Sequence, residues 1–504
     1  MNKIPSLSAL FFLSCSVFFS QYKIEVNCSG CKDSIYYLVK YQWDQQYIVD
    51  TCKKVKNGYG IFKGKKELEK GIYTLVSQEK SIYFDFFVNE TSDFSFHFKR
   101  NDIVNSLKAS NKENQLFFEY IRFISNKNAE FNKLKESTAG LSKEDSAKKV
   151  NAGLEKLNKE VKDFEEKYME KVKGTFIYDV LNLKTEKVPK EIPKASNGRP
   201  DSIYQYRYYR SHFLDGINFK DERILRTPFF DDRMKRYFEQ VIPQVPDTVI
   251  AEFDRIMNLC EPNGMIQKML LAYMTYHSET SKIMGFDKVF VHVCDKYVIP
   301  KKVTDLYSDE TIEKIKERVN ILRNLLLESQ APDLYMIDTA RGREVLNMGF
   351  DTARSSAAVT ELYYRNQKRL APMFVNLYSV KSKYVVLVFW DVDCGHCQTE
   401  IPKLHQELKD FRDSVDFKVY AVYTKEDLDK WKKFIIEKKL TGFIHVFDPV
   451  HLNNIKEKYD IFSTPVIYIL DKDKKIKAKK LSAEQVRFFL RLLSKMENES
   501  KTNK

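Results

Sequence analysis

The sequence predicts a multidomain chain with an N-terminal all-β sandwich, a central α-helical domain and a C-terminal α/β domain. Three observations predict it. Short strand-like segments punctuated by Gly and Asn fill residues 21–105. Apolar residues recur at spacings of three and four within residues 106–329, as on a buried helix face. From Tyr384 onward, strand-like and helical segments alternate, the order that builds a mostly parallel sheet covered on both faces. At 504 residues the chain is too long for one ordinary domain. The expected limits are 1–20 for an export signal, 21–105 for the sandwich, 106–329 for the helical domain, 330–496 for the α/β domain and 497–504 for a disordered, frayed tail.

The chain opens on Met1-Asn2-Lys3 and an apolar stretch from Leu7 to Phe19. This reads as a secretory signal, too short to span a bilayer stably. Membrane attachment is expected only through lipidation at Cys15, where Phe12-Leu13-Ser14-Cys15 faintly resembles a lipoprotein site. Export implies a periplasmic or envelope location, an oxidising setting in which disulfides persist. The sequence holds 8 cysteines, and removing Cys15 leaves an odd number. If Cys394 and Cys397 cycle together, at least one of Cys28, Cys31, Cys52, Cys260 and Cys294 is free or paired with another molecule.

In the sandwich the expected strands are Tyr22 to Asn27, Ser34 to Tyr41, Gln46 to Asp50, Tyr59 to Lys63, Ile72 to Ser77, Ile82 to Val88 and Phe94 to Phe98. Cys28 and Cys31 form a Cys-x-x-Cys between strands, with no helix start to activate a thiolate, and read as structural or incidental. In the helical domain, Leu154, Leu157, Val161, Phe164, Tyr168 and Val172 make one apolar stripe. A helical hairpin packed within the domain is the favoured reading, and a dimerising coiled coil, hence a homodimer, is its rival. Residues 184–200 carry Pro189, Pro193 and Pro200 among polar residues and read as a loop. Cys260 and Cys294 sit in helical context as buried apolar fillers. Gln330 to Leu334 opens the last domain, and Ser355 to Arg369 reads as an inserted helix that packs on it rather than roofing the site.

The last domain carries the most informative segment. Val386 to Trp390 is an apolar run that leads through Asp391-Val392-Asp393 into Cys394-Gly395-His396-Cys397 and a helical stretch from Gln398 to Arg412. Two sulfurs at that spacing can close a disulfide across one helical turn. The first sits where free backbone N–H groups and the helix dipole favour a thiolate. Half of a zinc site and a static structural disulfide are the plainer alternatives. Zinc usually needs a second ligand pair, and downstream only the unpaired His405, His445 and His451 occur, so no metal site is expected. Tyr459-Asp460-Ile461-Phe462-Ser463-Thr464-Pro465 precedes a strand-like Val466 to Asp471, where a proline suits a turn.

The stretches FWDVDCGHCQTEIPKL and YDIFSTPVIYILD resemble the thioredoxin superfamily, specifically its envelope TlpA/ResA-like branch. The resemblance implies a thioredoxin-like fold and thiol–disulfide oxidoreductase activity on protein thiols or disulfides, with no cofactor. It implies that Cys394 attacks, Cys397 resolves and a cis-proline, Pro465, lies against the disulfide. Thr464, Pro465 and Trp390 are the expected substrate-binding residues, the backbone of Thr464 pairing with an extended client segment. The strand-rich and helical regions ahead of it resemble accessory domains of large envelope oxidoreductases, which implies an envelope redox partner.

His396, between the two sulfurs, is expected to favour the Cys394 thiolate if protonated, whereas Asp393 stands where the pattern has tryptophan and opposes that effect. The acid that the pattern places on the central strand is absent from Tyr384 to Trp390. Asp391 and Glu400 are the candidates for its proton-transfer role.

Formal net charge is +14, from 84 Lys and Arg against 70 Asp and Glu, but basic and acidic residues are interspersed throughout. A nucleic-acid reader would concentrate basic charge on one face or show a known module, and neither is present in the sequence. Peroxide reduction in related folds uses Thr-x-x-Cys, and Asp391 holds that first position. The sequence therefore favours periplasmic disulfide exchange through Cys-Gly-His-Cys. The alternative is an envelope peptide-binding or scaffold protein whose thioredoxin-like domain is static.

Overall fold

A computed structural model describes residues 21–139, 142–411 and 414–502. The expected export signal and the Cys15 lipidation site lie outside the described residues. The chain divides into two compact units, Met1–Gln244 with Arg255–Met269, and Val245–Asp254 with Leu270–Lys504.

In the first unit, strands β1 (Tyr22–Ser29), β2 (Tyr36–Gln42), β3 (Gln45–Cys52), β4 (Tyr59–Gly64), β5 (Gly71–Val76), β6 (Ile82–Val88), β7 (Asp93–Lys99) and β8 (Lys108–Ala109) form two sheets. Their orders are β4-β1-β7-β8 and β3-β2-β5-β6, which makes the sandwich. The alternation that predicts strands also makes the core. Tyr22, Ile24, Val26 and Cys28 of β1 point inward, as do Phe94, Phe96 and Phe98 of β7, while their neighbours face outward. Phe84 meets Phe96, Phe98 and Phe118 edge to face at 5.1–5.7 Å, a geometry that aromatic quadrupoles favour. Cys28 and Cys31 are closed as a disulfide. Gly58 adjoins it with φ +76°, and a Cβ there would lie 1.9 Å from the Cys28 carbonyl oxygen, so only glycine fits.

The apolar stripe is used within a hairpin of helices Lys112–Glu136 and Lys143–Lys171. Phe123 stacks on Phe164 at 3.7 Å, and the Tyr168 hydroxyl donates to the Leu116 carbonyl at 2.6 Å. Glu119 pairs with Lys171 and Lys127 with Glu160, so the two helices run antiparallel. Ser142 caps the second helix by accepting from the Asp145 N–H.

The second unit contains a seven-stranded sheet in the order β10-β9-β13-β12-β11-β14-β15. Its strands are β9 (Tyr335–Asp338), β10 (Phe374–Asn376), β11 (Tyr384–Trp390), β12 (Phe417–Tyr423), β13 (Phe443–Phe447), β14 (Val466–Asp471) and β15 (Ile476–Lys479). β11, β12 and β13 are parallel, and β14 and β15 complete the edge antiparallel. Every residue of β11 is buried, because side chains on both faces meet a core. One core gathers Val386, Val388 and Trp390 with Leu404 and Leu408; the other gathers Val385, Leu387 and Phe389 with Tyr459 and Tyr468. The central strand therefore ends, at Trp390, on a rigid base.

The last helix, Ala483–Thr502, runs into the expected tail, where Glu497 accepts from the Tyr384 hydroxyl at 3.1 Å and pairs with Lys383. The inserted helix, Ser356–Leu370, packs on the domain through Val359, Leu362, Tyr363 and Leu370, with Tyr364 facing outward.

Candidate active site

β11 hands over to the cysteine helix, Gly395–Lys409, through a tight turn. The Asp391 carboxylate accepts from the Asp393 N–H at 2.9 Å, and the Gln398 side chain donates to the Val392 carbonyl at 2.9 Å. These contacts pin the turn from both sides. Cys394 becomes the N-cap, with extended φ −81° and ψ 117°, and its carbonyl accepts the first helical N–H, from Gln398, at 3.1 Å.

Across from it, the Thr464–Pro465 peptide is cis and opens β14. The Cys394 thiol donates to the Thr464 carbonyl at 3.1 Å. Cys394 and Cys397 are both free thiols, the first partly exposed and the second fully buried. Register explains how distant sequence converges: Phe389 pairs with Val466 across the antiparallel β11–β14 ladder, which places the Thr464–Pro465 turn beside the end of β11.

The two sulfurs differ in acidity. Burial pushes the Cys394 thiol up, but the Thr464 hydroxyl, the Cys397 backbone N–H and thiol, and the His396 backbone N–H together bring it below an ordinary thiol. The contact of the Cys394 thiol with the Thr464 carbonyl favours the thiol form, while the Thr464 hydroxyl acts to lower the pKa of both sulfurs. The sulfur, turned toward Thr464, makes no capping hydrogen bond of normal geometry; the helix N–H groups act on it as dipoles. Burial pushes Cys397 up to about 12, and the nearby Cys394 sulfur adds to the shift. The arrangement gives one accessible, acidified sulfur and one enclosed sulfur that keeps its proton.

The remaining expected residues fall in different places. The His396 ring is exposed, and the contribution of this residue to the thiolate comes from its backbone N–H. Asp391 is buried, with its backbone N–H directed at the Cys397 sulfur. Glu400 accepts from the Ala483 N–H at 2.9 Å and so caps the last helix. Trp390, expected to touch substrate, is fully buried among Tyr423, Phe434 and His445, because the alternation of β11 turns it inward. Its ring braces the strand below the thiols and presents no surface to a client.

Sequence reasoning missed Lys430, which pairs with Asp393 and offsets the negative neighbour of Cys394. Both side chains are more than half exposed, so solvent screens the pair. No local spacing signals it, because the partners lie on separate elements. Among the described residues no group of three or more His, Cys, Asp or Glu side chains could hold a metal ion.

Residues 367–479 match the AhpC/TSA family, and residues 144–324 match a domain of unknown function, DUF5106. Among solved structures, a domain of a possible thiol-disulfide isomerase from Cytophaga hutchinsonii is 34% identical, over 35% of this chain and 97% of that one, with a TM-score of 0.27. A thiol:disulfide interchange protein from a Bacteroides species is 27% identical, over 32% and 85%, with a TM-score of 0.23. A thioredoxin-like protein from Bacteroides caccae is 16% identical, over 61% and 99%, with a TM-score of 0.41. No curated protein matches the chain. It is thus the C-terminal domain that gives this chain its kinship: the protein belongs to the thioredoxin superfamily of thiol–disulfide oxidoreductases, and the TlpA/ResA-like branch fits it.

Proposed function

We propose that the protein exchanges disulfides with protein clients through Cys394 and Cys397 in the cell envelope. The carrying observation is the unequal pair of sulfurs, one acidified at a helix N-terminus and one buried and protonated. The Cys394 thiolate attacks a client disulfide, whose S–S bond breaks to leave a mixed disulfide and one client thiolate, which takes up a proton. Cys397 then gives up its proton and attacks Cys394, releasing the second client thiolate and closing the Cys394–Cys397 disulfide. Two electrons pass from the protein to the client, and the reverse sequence oxidises one.

The proton on Cys397 must leave before it attacks. Asp391, buried in the residues that lead into the cysteine helix with its carboxylate on the Asp393 N–H, is the candidate acceptor, and the engagement of Glu400 by the last helix speaks against Glu400. The partly exposed Thr464 and Pro465 offer the backbone edge for an extended client. Residues 21–105 and 106–329 act as accessory domains ahead of a redox domain at 330–496, and recruit an envelope redox partner. Export rests on the apolar N-terminal segment; no helix among the described residues is long and apolar enough to cross a membrane.

Cys394→Ser should abolish reduction of insulin or a client protein, and Cys397→Ser should accumulate mixed disulfides that a reducing agent releases. Undiminished turnover in Cys394→Ser, or client complexes that survive reduction, would refute the assignment in favour of a static scaffold.

A further inference from the structure

A side chain from the helices ahead of the redox domain reaches its active-site loop. Arg318 lies on helix Asp309–Arg323, within the segment matched to the domain of unknown function. It is half-buried and forms an ion pair with Asp460, whose carboxylate is only 5% exposed. Its Nε lies 3.7 Å from Glu279, and its guanidinium sits 5.6 Å from the ring of Phe462, which is 74% exposed.

Asp460 ends the short helix Ile455–Tyr459 in a left-handed conformation, φ 58° and ψ 41°, that a residue with a Cβ adopts at some cost. Four residues later, the Thr464 carbonyl meets the Cys394 sulfur. Arg318 thus holds both the entrance of the Asp460–Pro465 loop, through an ion pair, and its exposed crest, through the face of Phe462.

We propose that Arg318 is a positioning residue for disulfide exchange, fixing the loop that presents Thr464 to Cys394 and so giving the segment 144–324 a part in the reaction. This rests on the exchange reading above. Without Arg318, the Asp460 carboxylate loses the cation paired with it at the left-handed turn, the loop relaxes, and Thr464 is no longer held against the Cys394 sulfur. The ionisable residues nearest Cys394 in sequence, namely Cys397, His396, Asp391 and Asp393 with its partner Lys430, are left unaltered by the substitution.

The test reads thiol chemistry without any client, so it stands apart from the test of exchange itself. In the full-length reduced protein, the rate of Cys394 alkylation by iodoacetamide is followed against pH, with mass spectrometry to locate the adduct. Arg318→Gln and Asp460→Asn should each move the midpoint by roughly half a pH unit or more, in the same direction, Arg318→Lys should restore part of the shift, and Glu279→Gln should leave it unchanged. Asp460→Asn serves should Arg318→Gln fail to fold. A midpoint equal to the unsubstituted protein's in a folded Arg318→Gln or Asp460→Asn variant would overturn the proposal, as would equal shifts in all four variants, which would signal a general loosening.

Discussion

Cys394 and Cys397 are three residues apart yet occupy opposite electrostatic settings, and the difference is set by a handful of atoms. Alkylation should therefore be selective. Cys394 should react with a pH midpoint below that of an ordinary thiol, and Cys397 should stay silent until near pH 12. The sign follows from linkage. A thiol whose folded pKa is lowered stabilises the reduced fold above the ordinary thiol pKa, and that contribution disappears as pH falls through the lowered value. Denaturant midpoints of the reduced protein across this window would check it. Thr464→Val keeps the branched shape and the carbonyl but removes the hydroxyl, and should raise the Cys394 midpoint by roughly half a unit. At the other end of the chain, Gly58→Ala forces a side chain into a positive-φ site against the Cys28 carbonyl. A loss of about 2 kcal/mol or more in urea unfolding is expected.

Among the elements, the helical hairpin shows what an apolar stripe does when its partner is a few residues away. Tyr168 is 2% exposed, stacks on Phe164 and closes a hydrogen bond to the neighbouring helix. Tyr168→Ala should cost roughly 3–5 kcal/mol, the range for losing a buried aromatic. Tyr168→Phe, which removes only the hydroxyl's hydrogen bond to the Leu116 carbonyl, should cost about 1 kcal/mol. Urea titrations followed by circular dichroism would separate the two. The hairpin was legible because periodicity is local. That β1 pairs with β7 in parallel was not, since neither strand carries a mark of its distant neighbour.

Over the whole molecule, the second compact unit joins residues that the sequence-based limits keep apart. Asp287, at the start of helix Asp287–Val293, forms an ion pair with Lys479 of β15, and Lys479 also donates to the Leu325 carbonyl. Burial pushes the Lys479 ammonium down, and Asp287 opposes that shift. Asp287→Asn leaves a buried cation unpaired and should destabilise this unit by about 3–5 kcal/mol, whereas Asp287→Leu combined with Lys479→Met should recover most of the loss. Unfolding curves for the single and double variants, followed by near-ultraviolet circular dichroism, would show it. Neither residue stands out in the chain; a lone lysine in a Lys-rich strand reads as a solvated one.

The amino-acid order alone determined the three fold classes in sequence, the Cys-x-x-Cys at the start of a helix and the proline that opens the strand opposite. Each depends on neighbours within a turn or two, where spacing dictates which atoms can meet. Only the tertiary structure decided that Trp390 is a brace and not a contact, that Glu400 caps a helix, that Lys430 answers Asp393 and that Arg318 reaches the active-site loop. These depend on which face of an element is covered and which charge lies across a gap, and those are properties of packing that no local pattern encodes.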